Sequence, residues 1–295
     1  MKKLLKIGTR SSKLALWQAN YVKEFLINNF DNLEVELTKI VTTGDLDAIG
    51  EIETSHTKDS FVKEIEQSLL DKEVDLAVHS FKDMPAFLPE GLEVISTSER
   101  EDPRDVLISA SNSKFLMLDK DSVIGTGSLR RTEQLSLLRD DLKISPIRGN
   151  IDTRIEKVQS SSYDAIVLAR AGIKRLELDR FVSDVFEVSE IVPSPLQGFL
   201  AIETREDSDL SKYFESFSSE ESVLVSNYER QFLKDLNLGC HYPAGFCMQV
   251  HNNKEFSFDY FLKGPKKEIK NKEVFGYSDL LMQYSKMIDI LKKII

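Results

Sequence analysis

Val74-Asp75-Leu76-Ala77-Val78-His79-Ser80-Phe81-Lys82-Asp83-Met84-Pro85 decides the fold class of this chain. A short apolar run of β type passes directly into a His/Ser/Lys/Asp cluster and then a proline. A strand that ends this way delivers polar groups at the mouth of a sheet, and in α/β folds ligands bind outside the carboxyl ends of the strands. A Lys-Asp pair by itself at such an end is a solvated turn. What gives this pair weight is the company it keeps along the chain.

Upstream, Ile7-Gly8-Thr9 ends a first strand. Residues 14–30 carry Leu14, Leu16, Trp17, Tyr21, Phe25 and Leu26 at helical spacing, residues 35–41 alternate as a strand does, and residues 61–70 read as a helix. Downstream the theme repeats, with a strand at 122–126, a helix at 130–139, a strand at 142–147, a helix at 151–160 and a buried strand at 165–169. Strands alternating with helices imply βαβ units and a largely parallel sheet. Two α/β units of similar build follow, with joins near residues 98–104 and 192–197, where Pro103, Pro193 and Pro195 fall. After about Ser218 the pattern changes to a helix at 221–236, strand-like runs at 246–250 and 255–262, and an amphipathic helix over 278–295. That portion reads as a small α+β domain.

A chain of 295 residues is expected to hold two or three domains. Its hydrophobic fraction of 41% and charged fraction of 30% are those of a water-soluble enzyme. No apolar run approaches the roughly 20 residues of a membrane helix, and Met1-Lys2-Lys3-Leu4-Leu5-Lys6-Ile7 reads as a strand, not a signal peptide. Cys240 and Cys247 make no disulfide framework, so a cytoplasmic location is expected. The net charge of −10 argues against nucleic acid as a partner.

Against that acidic background, arginines concentrate in a few motifs. Arg130 and Arg131 open a helix after Gly125-Thr126-Gly127-Ser128, where free N–H groups and the helix dipole attract anions. Arg148 and Arg154 bracket Arg148-Gly149-Asn150-Ile151-Asp152-Thr153-Arg154, and Arg175 lies in Gly172-Ile173-Lys174-Arg175-Leu176. Arg10 follows the first strand in Gly8-Thr9-Arg10-Ser11-Ser12-Lys13-Leu14-Ala15-Leu16. A single such arginine is ordinarily a solvated surface residue. Six at strand ends and helix starts make a locally cationic site, suited to a small polyanion whose carboxylates or phosphates match the guanidinium fork. Thr126, Ser128 and Ser12 offer hydroxyls to the same anions. His56, His79, His241 and His251 show no metal-ligand spacing, and no metal is expected. A nucleotide-binding regulator lacks its phosphate loop here.

These motifs, with Leu238-Gly239-Cys240 downstream, occur in order from about residue 5 to about residue 250 and resemble the porphobilinogen deaminase (hydroxymethylbilane synthase) family. The resemblance implies two doubly wound domains like those of periplasmic binding proteins, plus a small α+β C-terminal domain: residues 1–98 with 194–216, residues 99–193, and residues 217–295. It implies an enzyme that deaminates porphobilinogen and joins four molecules head to tail onto an enzyme-bound dipyrromethane, releasing hydroxymethylbilane in tetrapyrrole and heme biosynthesis. It implies a monomer. By the same resemblance Cys240 carries the dipyrromethane through its sulfur. Asp83, with Lys82 beside it, is the catalytic carboxylate. Lys82, Asp83, Thr126, Ser128, Arg130 and Arg131 hold the cofactor, while Arg10, Ser12, Arg148, Arg154 and Arg175 bind substrate.

Lys58 marks an active-site loop, but where the family has Gly-Gly-Lys-Gly this chain has His56-Thr57-Lys58-Asp59, without the permissive glycines. Gly-Gln-Gly becomes Leu196-Gln197-Gly198, Gly-Gly-Cys becomes Leu238-Gly239-Cys240, and Pro-Ile-Gly becomes Pro243-Ala244-Gly245. None of these changes removes a group that the chemistry needs. His79, at the end of an apolar strand, reads as a structural hydrogen-bonding residue instead of a base, and Cys247 as a core residue. The rival reading is a non-catalytic binding protein for a carboxylated ligand. It accounts for the α/β halves and the arginines, but not for a third domain or Cys240.

Overall fold

The computed structural model describes residues 2–43, 62–238, 242–251 and 254–295. From the amino terminus run β1 (Lys3–Thr9), α1 (Lys13–Asn29), β2 (Leu33–Lys39), α2 (Lys63–Leu70), β3 (Leu76–Ser80) and β4 (Leu92–Thr97). Next come β5 (Asp105–Ser109), β6 (Val123–Gly125), α3 (Leu129–Leu138), β7 (Lys143–Ser145), α4 (Ile151–Gln159), β8 (Ala165–Ala169), α5 (Arg170–Arg175) and β9 (Asp184–Val185). The chain closes with β10 (Leu200–Arg205), α6 (Glu220–Asp235), β11 (Ala244–His251), β12 (Glu255–Lys263), β13 (Glu268–Gly276) and α7 (Leu280–Leu291). It folds into two compact units, Met1–Glu101 with Gly198–Leu224, and Asp102–Gln197 with Val225–Ile295.

The first unit holds a sheet of order β2-β1-β3-β10-β4, and the second a sheet of order β7-β6-β8-β5-β9. The two are built alike. In each, three parallel strands are extended by two antiparallel pairings, through β10 in the first unit and β5 in the second. The doubly wound α/β class expected from the sequence is therefore present, while the expectation of a largely parallel sheet needs correction. The physical reason is chain routing. β5 and β10 are the first strands the chain makes on entering each unit from the other, so neither is fed by a βα crossover that would force it parallel.

Alternation of side chains across the strands gives each sheet two apolar faces. In the second unit Leu107 and Val167 pack with Ile124 and Leu135, whereas Val106, Ile108, Ile166 and Leu168 pack with Ile155 and Ile173. In the first unit Leu5, Ile7, Leu76 and Val78 meet Val22 and Leu26 of α1, while Ala77 meets Ile65 and Leu69 of α2 on the other face. The chain re-enters the first unit at Gly198, whose φ of +101° and absent side chain are both required: a Cβ there would lie 2.2 Å from the Glu101 carbonyl oxygen.

Within the second unit, β11, β12 and β13 form an antiparallel sheet. One of its faces carries Phe246, which stacks on Phe232 of α6, and Phe258, which meets Phe246 and Tyr284 of α7 edge to face. On β12, Asp259 lies opposite Cys247 and Lys272. It is 1% exposed, neither carboxylate oxygen has a hydrogen-bond partner, and the Lys272 Nζ stands 3.8 Å away. Burial raises this carboxyl above its ordinary value, and Lys272, His251 and Lys270 pull against that without cancelling it. A carboxyl raised in the folded state contributes its stability below the unfolded value and loses it as pH rises through the raised one. Asp259→Asn is thus expected to stabilise the protein near pH 7 by about 1 kcal/mol, with the gain fading as acid protonates the native carboxyl. Thermal unfolding at neutral and acidic pH checks this, and a variant that melts lower at neutral pH would show that the Lys272 pair outweighs burial.

Candidate functional site

β1 and β3 run parallel and adjacent, so their carboxyl ends emerge side by side. Arg10 follows β1. Ser12 caps α1, its Oγ accepting from the Ala15 N–H at 3.3 Å. Gln18 of α1 donates through Nε2 to Ser80 Oγ at 2.7 Å, which ties the helix to the end of β3. There Phe81-Lys82-Asp83 makes a single 3-10 turn, closed by the Met84 N–H on the Phe81 carbonyl at 3.2 Å. Phe81 is buried and its N–H donates to Phe199 O at 3.0 Å. With Phe81 anchored, the turn holds Lys82 and Asp83 half-buried at the sheet's mouth. Proline at position 85 favours the extended backbone seen at Met84, where ψ is 149°, and so ends the turn. His79, one step back, is buried with Nε2 2.9 Å from Glu203 Oε2, the structural hydrogen bonding expected of it.

The second unit repeats the plan at the carboxyl ends of β6, β7 and β8. Thr126 is buried, and its Oγ1 accepts from the Ser128 N–H at 3.2 Å. Ser128 occupies the N-cap of α3 without a side-chain cap bond. Arg148 is exposed after β7. Arg154, on α4, donates from Nε to Gly149 O at 2.7 Å. Arg175 is buried at the end of α5. Lys58 and Cys240 lie outside the described residues.

Arg130 and Arg131 are 5% and 7% exposed, because residues 130, 131, 134 and 135 form the inward face of α3. Both guanidiniums converge on Asp105, the 0%-exposed first residue of β5. Arg130 Nη2 donates to Oδ2 at 2.8 Å; Arg131 donates from Nε to Oδ2 at 3.1 Å and from Nη2 to Oδ1 at 2.8 Å. Backbone carbonyls take further donors, Val192 O from Arg130 Nη1 at 2.6 Å and Val167 O from Arg131 Nη1 at 3.1 Å. Gln197 Nε2 gives Asp105 Oδ1 a fourth hydrogen bond, at 2.8 Å, and reaches Pro103 O at 2.6 Å.

Burial would raise the Asp105 carboxyl, but the charges and hydrogen bonds of Arg130 and Arg131 overcome it and hold the group well below the usual carboxylate range. Burial likewise lowers the Arg130 guanidinium, and Asp105 opposes it. Two guanidiniums share one carboxylate, so the cluster carries one positive charge in excess in a nearly dry site. An uncompensated buried charge is costly, and its natural complement is an anion. The sequence singled out neither residue for the site: Asp105 falls just past the 98–104 join, and Gln197 is marked only by the 192–197 join and the Leu196-Gln197-Gly198 turn. The one available signal was an aspartate opening the apolar run Val106-Leu107-Ile108.

Among the described residues no group of three or more His, Cys, Asp and Glu side chains is placed to hold a metal ion, and no helix is long and apolar enough to cross a membrane. The family model described as "Porphobilinogen deaminase, dipyromethane cofactor binding domain" matches residues 5–212. A porphobilinogen deaminase of Syntrophomonas wolfei is 44% identical over 251 residues, covering 85% of this chain and 82% of that protein. One from Caldicellulosiruptor saccharolyticus is 39% identical over 290 residues, covering 98% and 99%. Among solved structures, the probable amino-acid ABC transporter extracellular-binding protein ytmK of Bacillus subtilis is similar at a TM-score of 0.44 and 11% identity, covering 79% of this chain and 97% of that one.

Proposed function

This chain belongs to the porphobilinogen deaminase family, and we propose from that premise how its own residues carry the chemistry. The activity is the family's: porphobilinogen is polymerised into hydroxymethylbilane in tetrapyrrole biosynthesis, with dipyrromethane as cofactor. The observation that carries the assignment of roles is the buried pair Arg130 and Arg131 with its single counter-ion. A dipyrromethane bears several carboxylates, and a dry site with one positive charge in excess fits one of them. Arg130 has donors to spare as well, since its two contacts use two of the five N–H groups of the fork. When bound, the cofactor supplies the pyrrole carbon onto which substrate is joined.

The protein's part is positioning and charge. Arg130 and Arg131 hold one of the cofactor's carboxylates, Thr126, Ser128, Lys82 and Asp83 are further cofactor-binding residues, and Cys240 provides the covalent anchor. Arg10, Ser12, Arg148, Arg154 and Arg175 receive the acetate and propionate groups of incoming porphobilinogen. Asp83 stands against the cation left when substrate loses ammonia, and accepts a proton afterwards. Residues 1–98 with 194–216, 99–193 and 217–295 are the working domains, the last bearing Cys240. The chain acts as a monomer, as the family resemblance implies, and in the cytoplasm, in keeping with its two cysteines; its net charge of −10 supports the absence of nucleic acid as a partner.

The intact mass of the purified protein tests this reading. A dipyrrole adduct is expected; an unmodified chain that binds carboxylated ligands would favour the non-catalytic binding protein. The arginines divide in the same experiment. Each charge-assisted hydrogen bond lost costs about 1.5–3 kcal/mol, enough to empty a site. Arg130→Leu and Arg131→Leu are expected to yield folded chains without the adduct. Arg148→Leu and Arg154→Leu should carry it and stall at an early enzyme–substrate intermediate, read by native mass spectrometry after a pulse of porphobilinogen. Normal loading of the first pair with failure of the second would reverse the division.

A further inference from the structure

We infer that Asp105 is a positioning residue for the cofactor: its carboxylate aims the Arg130 and Arg131 guanidiniums and limits their charge, so that the pair accepts one anionic group. This deepens the reading above and rests on it. Asp105 stands second to the arginines, since its four hydrogen bonds from Arg130, Arg131 and Gln197 occupy both of its oxygens.

Three observations carry the inference. The first is geometry. Arg131 grips Asp105 through Nε and Nη2 in the two-pronged arrangement that fixes a guanidinium plane, and Arg130 shares Oδ2 with it. With Val192 O and Val167 O as further anchors, neither side chain is left to choose its direction. The second is charge. Without Asp105 the site would hold two buried positive charges, which repel each other and resist desolvation; a second carboxylate would cancel the excess and leave nothing to attract an anion. The third is support. Asp105 is the first residue of β5, paired with Ala169 of β8, and Gln197 braces its Oδ1 against Pro103 O. The counter-ion therefore sits on a strand, while the arginines sit on the helix that presents them, an arrangement suited to a preorganised site.

Two variants test it, each measured for folding by thermal unfolding, for loading by intact mass, and for kcat and KM per loaded chain. Asp105→Asn keeps the shape and loses the charge. Folded Asp105→Asn is expected to carry the adduct on fewer chains than wild type by about tenfold. Asp105→Glu keeps the charge but sets the carboxylate one methylene further out. It is expected to fold and load, with kcat lower on the order of tenfold and KM unchanged, because misaimed guanidiniums displace the cofactor and leave the substrate arginines alone. A merely structural aspartate would change the folded fraction and not this split. A folded Asp105→Asn that loads like wild type overturns the inference. So does an Asp105→Glu variant with wild-type kcat and KM, which decides the matter even where the asparagine variant does not fold. An unloaded wild type would sink the functional reading together with this inference; a loaded wild type beside unaffected Asp105 variants sinks the inference alone.

Discussion

Asp83→Asn is expected to fold, to keep most of its cofactor, and to lose turnover by on the order of 100-fold or more. Amide and carboxylate are nearly the same shape, and the 3-10 turn that presents residue 83 is held by the buried Phe81 and by backbone bonds, so the substitution leaves the scaffold alone. What it removes is the fixed negative charge at the mouth of β3. Deamination of porphobilinogen leaves a cationic pyrrole, and an amide dipole offsets that cation far less than a carboxylate does. An amide also cannot take up the proton released when the rings join. The measurement is kcat per adduct-bearing chain, with the melting temperature as the control for folding. Near-normal turnover in the folded variant would remove Asp83 from the reaction and leave it as a turn residue.

Cys240→Ser is expected to abolish the covalent adduct and with it all activity, whereas Cys247→Ser should leave the adduct in place. The chain has two cysteines. Cys247 lies on β11, 0% exposed and enclosed by the sheet, where a thiol is a small apolar filler and a two-ring group has no room. Attachment needs a sulfur that can act as a nucleophile, and the family resemblance implies Cys240 in the Leu-Gly-Cys segment. The serine oxygen is a poorer nucleophile and forms no thioether. Intact mass reports the loss, and peptide mapping of the wild type locates the attachment. An adduct on the peptide holding Cys247 would overturn the assignment and imply that β11 opens during loading.

By itself the sequence determined where several of the elements lie and which residues at their ends are suited to chemistry. Apolar spacing located α1, β3, α3 and β8 to within a residue or two, because amphipathic periodicity and buried runs are local properties. The strand-to-cluster pattern at residues 74–85 and the Gly-Thr-Gly-Ser turn before α3 pointed to ligand-binding ends of sheets, because turn residues and helix starts are written in a few adjacent positions. β13 escaped notice because Glu268–Gly276 is largely exposed and charged, with no buried alternation to read. β10 and β5 each run antiparallel to their own sheet neighbours, and no local pattern encodes direction; it follows from where the chain has been before. The same limit applies to the site. Arg130 and Arg131 were legible as arginines at a helix start, but their partner Asp105 lies 25 and 26 residues earlier, and Gln197 lies 92 residues beyond that aspartate. Only the tertiary structure brings the four together and excludes water from them. Two cations around one buried carboxylate thus become a site with a single charge to satisfy, since the energy of an ion pair depends on distance and burial and not on separation along the chain.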